Sequence, residues 1–78
     1  RLYATGVCEN ISDSRLSYAQ LEVQFVDEDN TVLGSGLANV NNLSPGQRWQ
    51  WEALYPGMGE EINPVSTYTV RATTIDEV

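Results

Sequence analysis

Between Tyr18 and Val26 the chain alternates strictly, with Ala19, Leu21, Val23 and Phe25 apolar and Gln20, Glu22 and Gln24 polar. A period of two sends successive side chains to opposite faces of an extended strand, so the segment predicts a strand with one face in the core and one in water. Other stretches read the same way. Leu2 to Glu9 sets Leu2, Ala4, Gly6 and Cys8 on a small apolar face, opposite Tyr3, Thr5, Val7 and Glu9. Thr31 to Val40 is a third strand, whose Gly34 and Gly36 share a face and predict a bend, a bulge, a close approach of another backbone, or a split in two. Gln47 to Tyr55 is a fourth, with Trp49, Trp51 and Ala53 opposite Arg48, Gln50 and Glu52, which predicts both indoles in the core. Val65 to Thr73 is the last, setting Tyr68, Val70 and Ala72 against Thr67, Thr69 and Arg71. Ile75 to Val78 reads as a frayed end or the start of a linker.

The connections carry their own chemistry. Asn10-Ile11-Ser12-Asp13-Ser14 is a cluster of side chains able to bond their own backbone and hold a turn. Asp27-Glu28-Asp29-Asn30 predicts a tight hairpin in which Asn30 takes the left-handed conformation. In Asn41 to Gly46, Pro45 fixes φ, Gly46 accepts a positive φ, and Leu43 is placed to plug the end of the core. Pro56 to Pro64 holds two Pro, two Gly and no period, and is the longest loop. About five to seven short strands at this spacing, with no internal repeat and no helical stripe, predict an all-β antiparallel β-sandwich.

Seventy-eight residues suffice for one core, so residues 1–78 read as a single domain, and 41 % hydrophobic with 19 % charged residues suits a folded one. No apolar run approaches a membrane span, and Arg1-Leu2-Tyr3 opens in strand-like alternation rather than a leader pattern, as expected of a soluble fragment of a larger protein. The charge is lopsided: eleven Asp and Glu face four Arg, with no Lys and no His, for a net charge of -7. Such a surface repels a phosphate backbone, which excludes nucleic acid as a partner. The missing Lys fits adaptation to high salt, where carboxylates keep a surface hydrated while their repulsion is screened. Without His the chain lacks the commonest general base and transition-metal ligand. Cys8 has no partner for a disulfide or zinc site, and its neighbour Glu9 opposes thiolate formation, so it reads as a small core hydrophobe.

Few residues suggest a site. Asp27, Glu28, Asp29 and Asn30 carry oxygens suited to Ca²⁺, but they lack the Gly and distant bidentate Glu of a calcium loop and read as a solvated turn. Asn10-Ile11-Ser12 and Asn42-Leu43-Ser44 match the glycosylation sequon, and Pro45 directly after the second leaves Asn10 as the possible glycosylation site. Glu52, Glu60 and Glu61 lack an orienting partner for acid-base work. Tyr3, Tyr18 and Tyr55, with Val7 and Val26, are assigned to outer strand faces, where they form a contact patch unless a second sheet covers them. No residue is assigned as catalytic, cofactor-binding or metal-binding.

The order of these features resembles the FxLYD domain, a small immunoglobulin-like family of secreted and cell-surface proteins of bacteria and archaea. Gly6, Cys8, Asn10, Ser12 and Asp13 reproduce the end of that family's opening strand. Val23-Gln24-Phe25-Val26-Asp27 stands at its name-giving segment, with Val23 for the Phe, Phe25 for the Leu, Val26 for the Tyr and Asp27 retained. Leu43-Ser44-Pro45-Gly46 followed by Trp49-Gln50-Trp51 is similar to its later turn and aromatic strand, and Tyr68 and Val70 to its closing strand. The resemblance implies an immunoglobulin-like sandwich of Greek-key type, an extracellular or cell-surface setting, and motif residues that build the fold: Gly6, Asn10, Val23, Phe25, Val26, Asp27, Pro45, Gly46 and Trp51.

The functional expectation is a non-catalytic module of a surface or secreted protein of a salt-adapted archaeon, acting as spacer, stabiliser or adhesive contact. Its expected partners are other domains of its parent or another surface protein, with no cofactor, no small-molecule substrate, and membrane contact only through the parent. The competing expectation is an accessory domain for a polysaccharide or Ca²⁺, which exposed aromatic rings aligned on one sheet face would favour.

Overall fold

The computed structural model describes residues 1–78. Five strands form in chain order: β1 (Tyr3–Glu9), β2 (Leu16–Val26), β3 (Val32–Leu43), β4 (Arg48–Leu54) and β5 (Thr67–Glu77), with a 3₁₀ turn at Gly59–Ile62. They make two antiparallel sheets, β1-β4 and β3-β2-β5. The chain is all-β, as its alternation predicts. The final strand runs further than the pattern suggests. Ile75, Asp76 and Glu77 belong to β5 because β2 begins at Leu16, which pairs with Leu43 on one side and Glu77 on the other.

The sheets face each other across a shared core. Ala4, Trp51, Ala53 and Tyr55 from one side meet Leu21, Val23, Phe25 and Ala38 from the other, and Leu16, Ala19 and Leu43 close one end. Leu43 plugs the core as expected. Trp51 is buried, whereas Trp49 is half-buried and bridges the two clusters. Cys8, opposite Trp49 in the ladder, packs against the main cluster. Tyr55 and Val26 are corrections to the outer-face assignment, since both are buried. Tyr55 continues the inward parity of Trp51 and Ala53, whereas Val26 is buried outside both core clusters, at the end of β2 where its carbonyl accepts the Ser66 amide.

Two close approaches explain two glycines. A Cβ on Gly6 would stand 2.6 Å from the Trp51 indole, its own ladder partner, so the ring lies across the glycine. A Cβ on Gly36 would stand 2.5 Å from the carbonyl oxygen of Leu54, so β4 presses against β3 there. Of the outcomes open for Gly34 and Gly36, the structure shows two: another backbone approaches closely at Gly36, and a register shift falls beside Gly34, which itself meets the side chains of Tyr55 and Pro56. The strand does not split, and it runs on through Asn41 and Asn42, which the pattern assigned to a turn.

The opposite seam differs. β1 lies above β5, yet the two strands barely meet, and no residue of β5 is buried. The molecule is elongated, 43 × 21 × 16 Å, and its radius of gyration of 14.0 Å exceeds the ~11.5 Å of a compact chain of this length. Its accessible surface of 5141 Å² exceeds by about 400 Å² the ~4,700 Å² typical of a folded 8.7 kDa monomer.

Candidate functional site

The acidic hairpin turn is spent on its own backbone. The Asp27 carboxylate oxygen Oδ1 accepts the amide hydrogens of Asp29 and Thr31, each at 2.9 Å, while the Asn30 amide donates to the Asp27 carbonyl. Asn30 is left-handed at φ 62, as its side chain tolerates. Asp27 is thus the turn former, with Glu28 and Asp29 projecting into water beside Asn63, Pro64 and Ser66. Glu61 Oε1 accepts the Met58 amide at 3.1 Å, and Glu52 lies on the wet face of β4.

Asn10 is a second structural clasp. It is buried, and its Nδ2 donates to the carbonyls of Ser14 at 2.8 Å and Leu43 at 2.9 Å. Its Oδ1 accepts from the amide of Ser12 at 3.0 Å and the hydroxyl of Ser12 at 2.7 Å. Its backbone joins in, with the Gly46 amide donating to the Asn10 carbonyl and the Asn10 amide donating to Gln47. In place of a free acceptor on the surface, the structure shows an Asn10 side chain with both amide hydrogens committed inside the fold, and the residue ties the first turn to the Pro45-Gly46 turn. Gly46 holds φ 80 at that junction. The sequon concealed this role, because a short motif does not report burial.

The aromatic residues do not form a flat platform. Phe25 and Tyr55 are tilted by 59°, Phe25 and Tyr68 by 52°, and Tyr68 meets Trp51 edge-on at 88°. Tyr3 is exposed, Tyr18 half-buried, and Tyr55 buried with its hydroxyl directed to the Glu61 carbonyl. A sugar-stacking surface needs rings that present their faces to solvent in one plane, and these rings present edges to one another.

What remains is the open seam. Tyr68, Val70, Ala72 and Ile75 stand in register with Phe25, Val23, Leu21 and Ala19, and so share the inner face of their sheet. Tyr68 is 40 % exposed, Val70 39 % and Ile75 58 %, whereas Val23, directly across from Val70, is fully buried. The β1-β4 sheet is one strand too narrow to reach over them. Along the other wall runs the edge of β1. The Leu2 carbonyl accepts from Tyr55 and the Asn10 amide donates to Gln47, so the even-numbered residues bond to β4. By antiparallel alternation, Tyr3, Thr5, Val7 and Glu9 direct their amides and carbonyls away from β4. One of these groups is engaged, since the Tyr68 hydroxyl donates to the Thr5 carbonyl at 3.2 Å.

A hollow lies at each end of the seam. One, of about 260 Å³, is lined by Leu2, Tyr3, Phe25, Ile62, Val65 and Tyr68. The other, of about 210 Å³, is bounded by Glu9, Ile11, Leu16, Ile75 and Glu77. Sequence reasoning placed Tyr68, Val70 and Ala72 on one face correctly and missed that the chain covers them only in part.

No family model matches this chain, and no solved structure matches it. An uncharacterized protein of the archaeon Methanocaldococcus jannaschii is 26 % identical over 73 residues, a match taking in 94 % of this chain and 53 % of that protein. The chain spans about half the length of the curated relative it matches.

Proposed function

We propose that this chain is a non-catalytic module of a larger secreted or cell-surface protein, an immunoglobulin-like sandwich of the FxLYD kind that works by contact with other polypeptide. The observation that carries the reading is the inner face of β5: four apolar side chains in register with the core strand, all of them exposed. A contiguous apolar surface of that kind is the ordinary mark of an interaction site. Gly6, Asn10, Asp27 and Trp51, which carry the resemblance, support it by acting as fold formers: a ring seat, a clasp, a turn and a core indole. The relative's greater length is compatible with a module inside a longer chain.

The acidic surface belongs to the same reading. None of the eleven carboxylates is buried, and one ion pair is made, between Glu22 and Arg71 at 2.8 Å on the outer face of β2 and β5. Apart from Asp27 and Glu61, whose carboxylates accept backbone amides, the rest are hydrated charges, suited to solubility in a salty medium.

Surface exposure is tested on intact cells of the source organism with an antibody raised against the domain. The expected result is labelling of unbroken cells or recovery of the protein from the medium. Detection only after lysis would overturn the surface assignment. A thermal melt in millimolar Ca²⁺ at fixed ionic strength tests the competing accessory role, and a sharp Ca²⁺-specific rise would replace the contact module with a metal-binding one at the Asp27 to Asn30 turn.

A further inference from the structure

We propose that the seam between β1 and β5 is a strand-acceptor groove for an extended segment of another protein. That segment is apolar at alternate positions and carries Lys or Arg at the end nearest Glu9 and Glu77. This deepens the contact-module reading above and rests on it. The segment bonds its backbone to the outward amides and carbonyls of Tyr3, Thr5, Val7 and Glu9, and lays its apolar side chains on Tyr68, Val70, Ala72 and Ile75.

Three features select this occupant. The first is geometry. A strand added to the free edge of β5 would lengthen that sheet and leave its inner face wet, whereas a strand added to β1 lies above that face. β1 has seven residues, about 23 Å at roughly 3.3 Å per residue, and the two hollows lie at the two ends of that length. The second is the edge itself. Natural sheet edges are blunted by Pro, Lys, bulges or inward charges, and Tyr3 to Val7 has none of these. Its guard is the Tyr68 hydroxyl on the Thr5 carbonyl, an exposed bond that an incoming amide can replace.

The third feature is charge. Glu9 and Glu77 both line the hollow at one end, and Arg48, though opposite Glu9 in the β1-β4 ladder, makes no ion pair with it. A second copy of this chain would bring another net charge of -7 and no Lys to that end. A segment ended by Lys or Arg is attracted to that end, whereas a second copy could offer it Arg1 but brings a net charge of -7 against it.

The test uses the domain with synthetic peptides of seven to nine residues, alternating Val and Thr, ended by two Lys or by two Glu. Amide hydrogen exchange and NMR shifts are read at low salt and at 1 M NaCl. The Lys-ended peptide is expected to bind, to slow exchange at Tyr3, Thr5, Val7 and Glu9, and to lose affinity in high salt. The Glu-ended peptide is expected to bind roughly tenfold more weakly. Ile75→Arg, which removes the apolar contact and sets a cation beside Glu9 and Glu77, is expected to abolish binding of the Lys-ended peptide without lowering the melting temperature of the free domain. Equal binding of both peptides would overturn the charge assignment, and binding without protection of the β1 amides would overturn strand addition. Concentration-dependent dimerisation that protects the same amides would hand the groove to a second copy. Absence of any binding would sink the groove proposal yet leave the contact-module reading to the antibody experiment on intact cells.

Discussion

The two long seams between the sheets begin from the same material and end differently. At β3 and β4, alternating apolar residues meet across an approach so close that only Gly36 fits beneath the Leu54 carbonyl, and the core is sealed. At β1 and β5, the alternation is interrupted once, by the register shift that sets Ile75 three positions after Ala72 on the same face, and the inner face of β5 stays exposed. The difference teaches that a period of two specifies which way a side chain points and not whether anything stands opposite. Five strands shared as two and three leave one strand of the wider sheet without a counterpart.

The largest effect expected from breaking the sealed part is at Trp51, whose indole lies across Gly6 and meets Tyr68 edge-on. Trp51→Ala should cost about 3–5 kcal/mol in a urea melt, from lost burial and the cavity left behind. A loss under about 1 kcal/mol would mean that the core is open as far as β4 and that the contrast between seams is false. Gly36→Val comes next. Its side chain would strike backbone rather than a yielding side chain, so overpacking should cost about 1–3 kcal/mol or more. A melt like that of the unaltered chain would show that β4 can step away from β3.

Most of the sealed part was legible in the sequence, and most of the open part was not. Ala19, Leu21, Val23 and Phe25 announce a buried face by alternation alone, and Asn30 and Gly46 announce their left-handed turns. Local rules suffice there because the cause is local. Tyr55 follows the parity of Trp51 and Ala53 and so is not the outer-face residue expected, and Val26 is buried outside both core clusters, a cover that alternation does not report. Asn10 matched a sequon, but its meaning is set by the Leu43 carbonyl, thirty-three positions away. The groove is the least local feature of all: it exists because of how strands are divided between sheets, which no window of the sequence contains.

The smallest effect expected is the sharpest probe of the comparison, because it uses one chemical change at two facing residues. Val23 and Val70 are ladder partners on the same sheet face, one fully buried and one 39 % exposed. Val23→Thr puts a hydroxyl in a dry site with no partner and should cost about 1–3 kcal/mol. Val70→Thr puts the same hydroxyl where water reaches it, and should stay within about 0.5 kcal/mol of the unaltered chain. The two variants differ in volume by almost nothing, so the gap between them measures cover rather than size. If Val70→Thr cost as much as Val23→Thr, the inner face of β5 would be dry in solution, by self-association or by β1 closing over it. A gap that narrowed as protein concentration rose would identify self-association as the cover. A gap that persisted at every concentration would leave the seam open, with its edge of unpaired amides available to a strand from elsewhere.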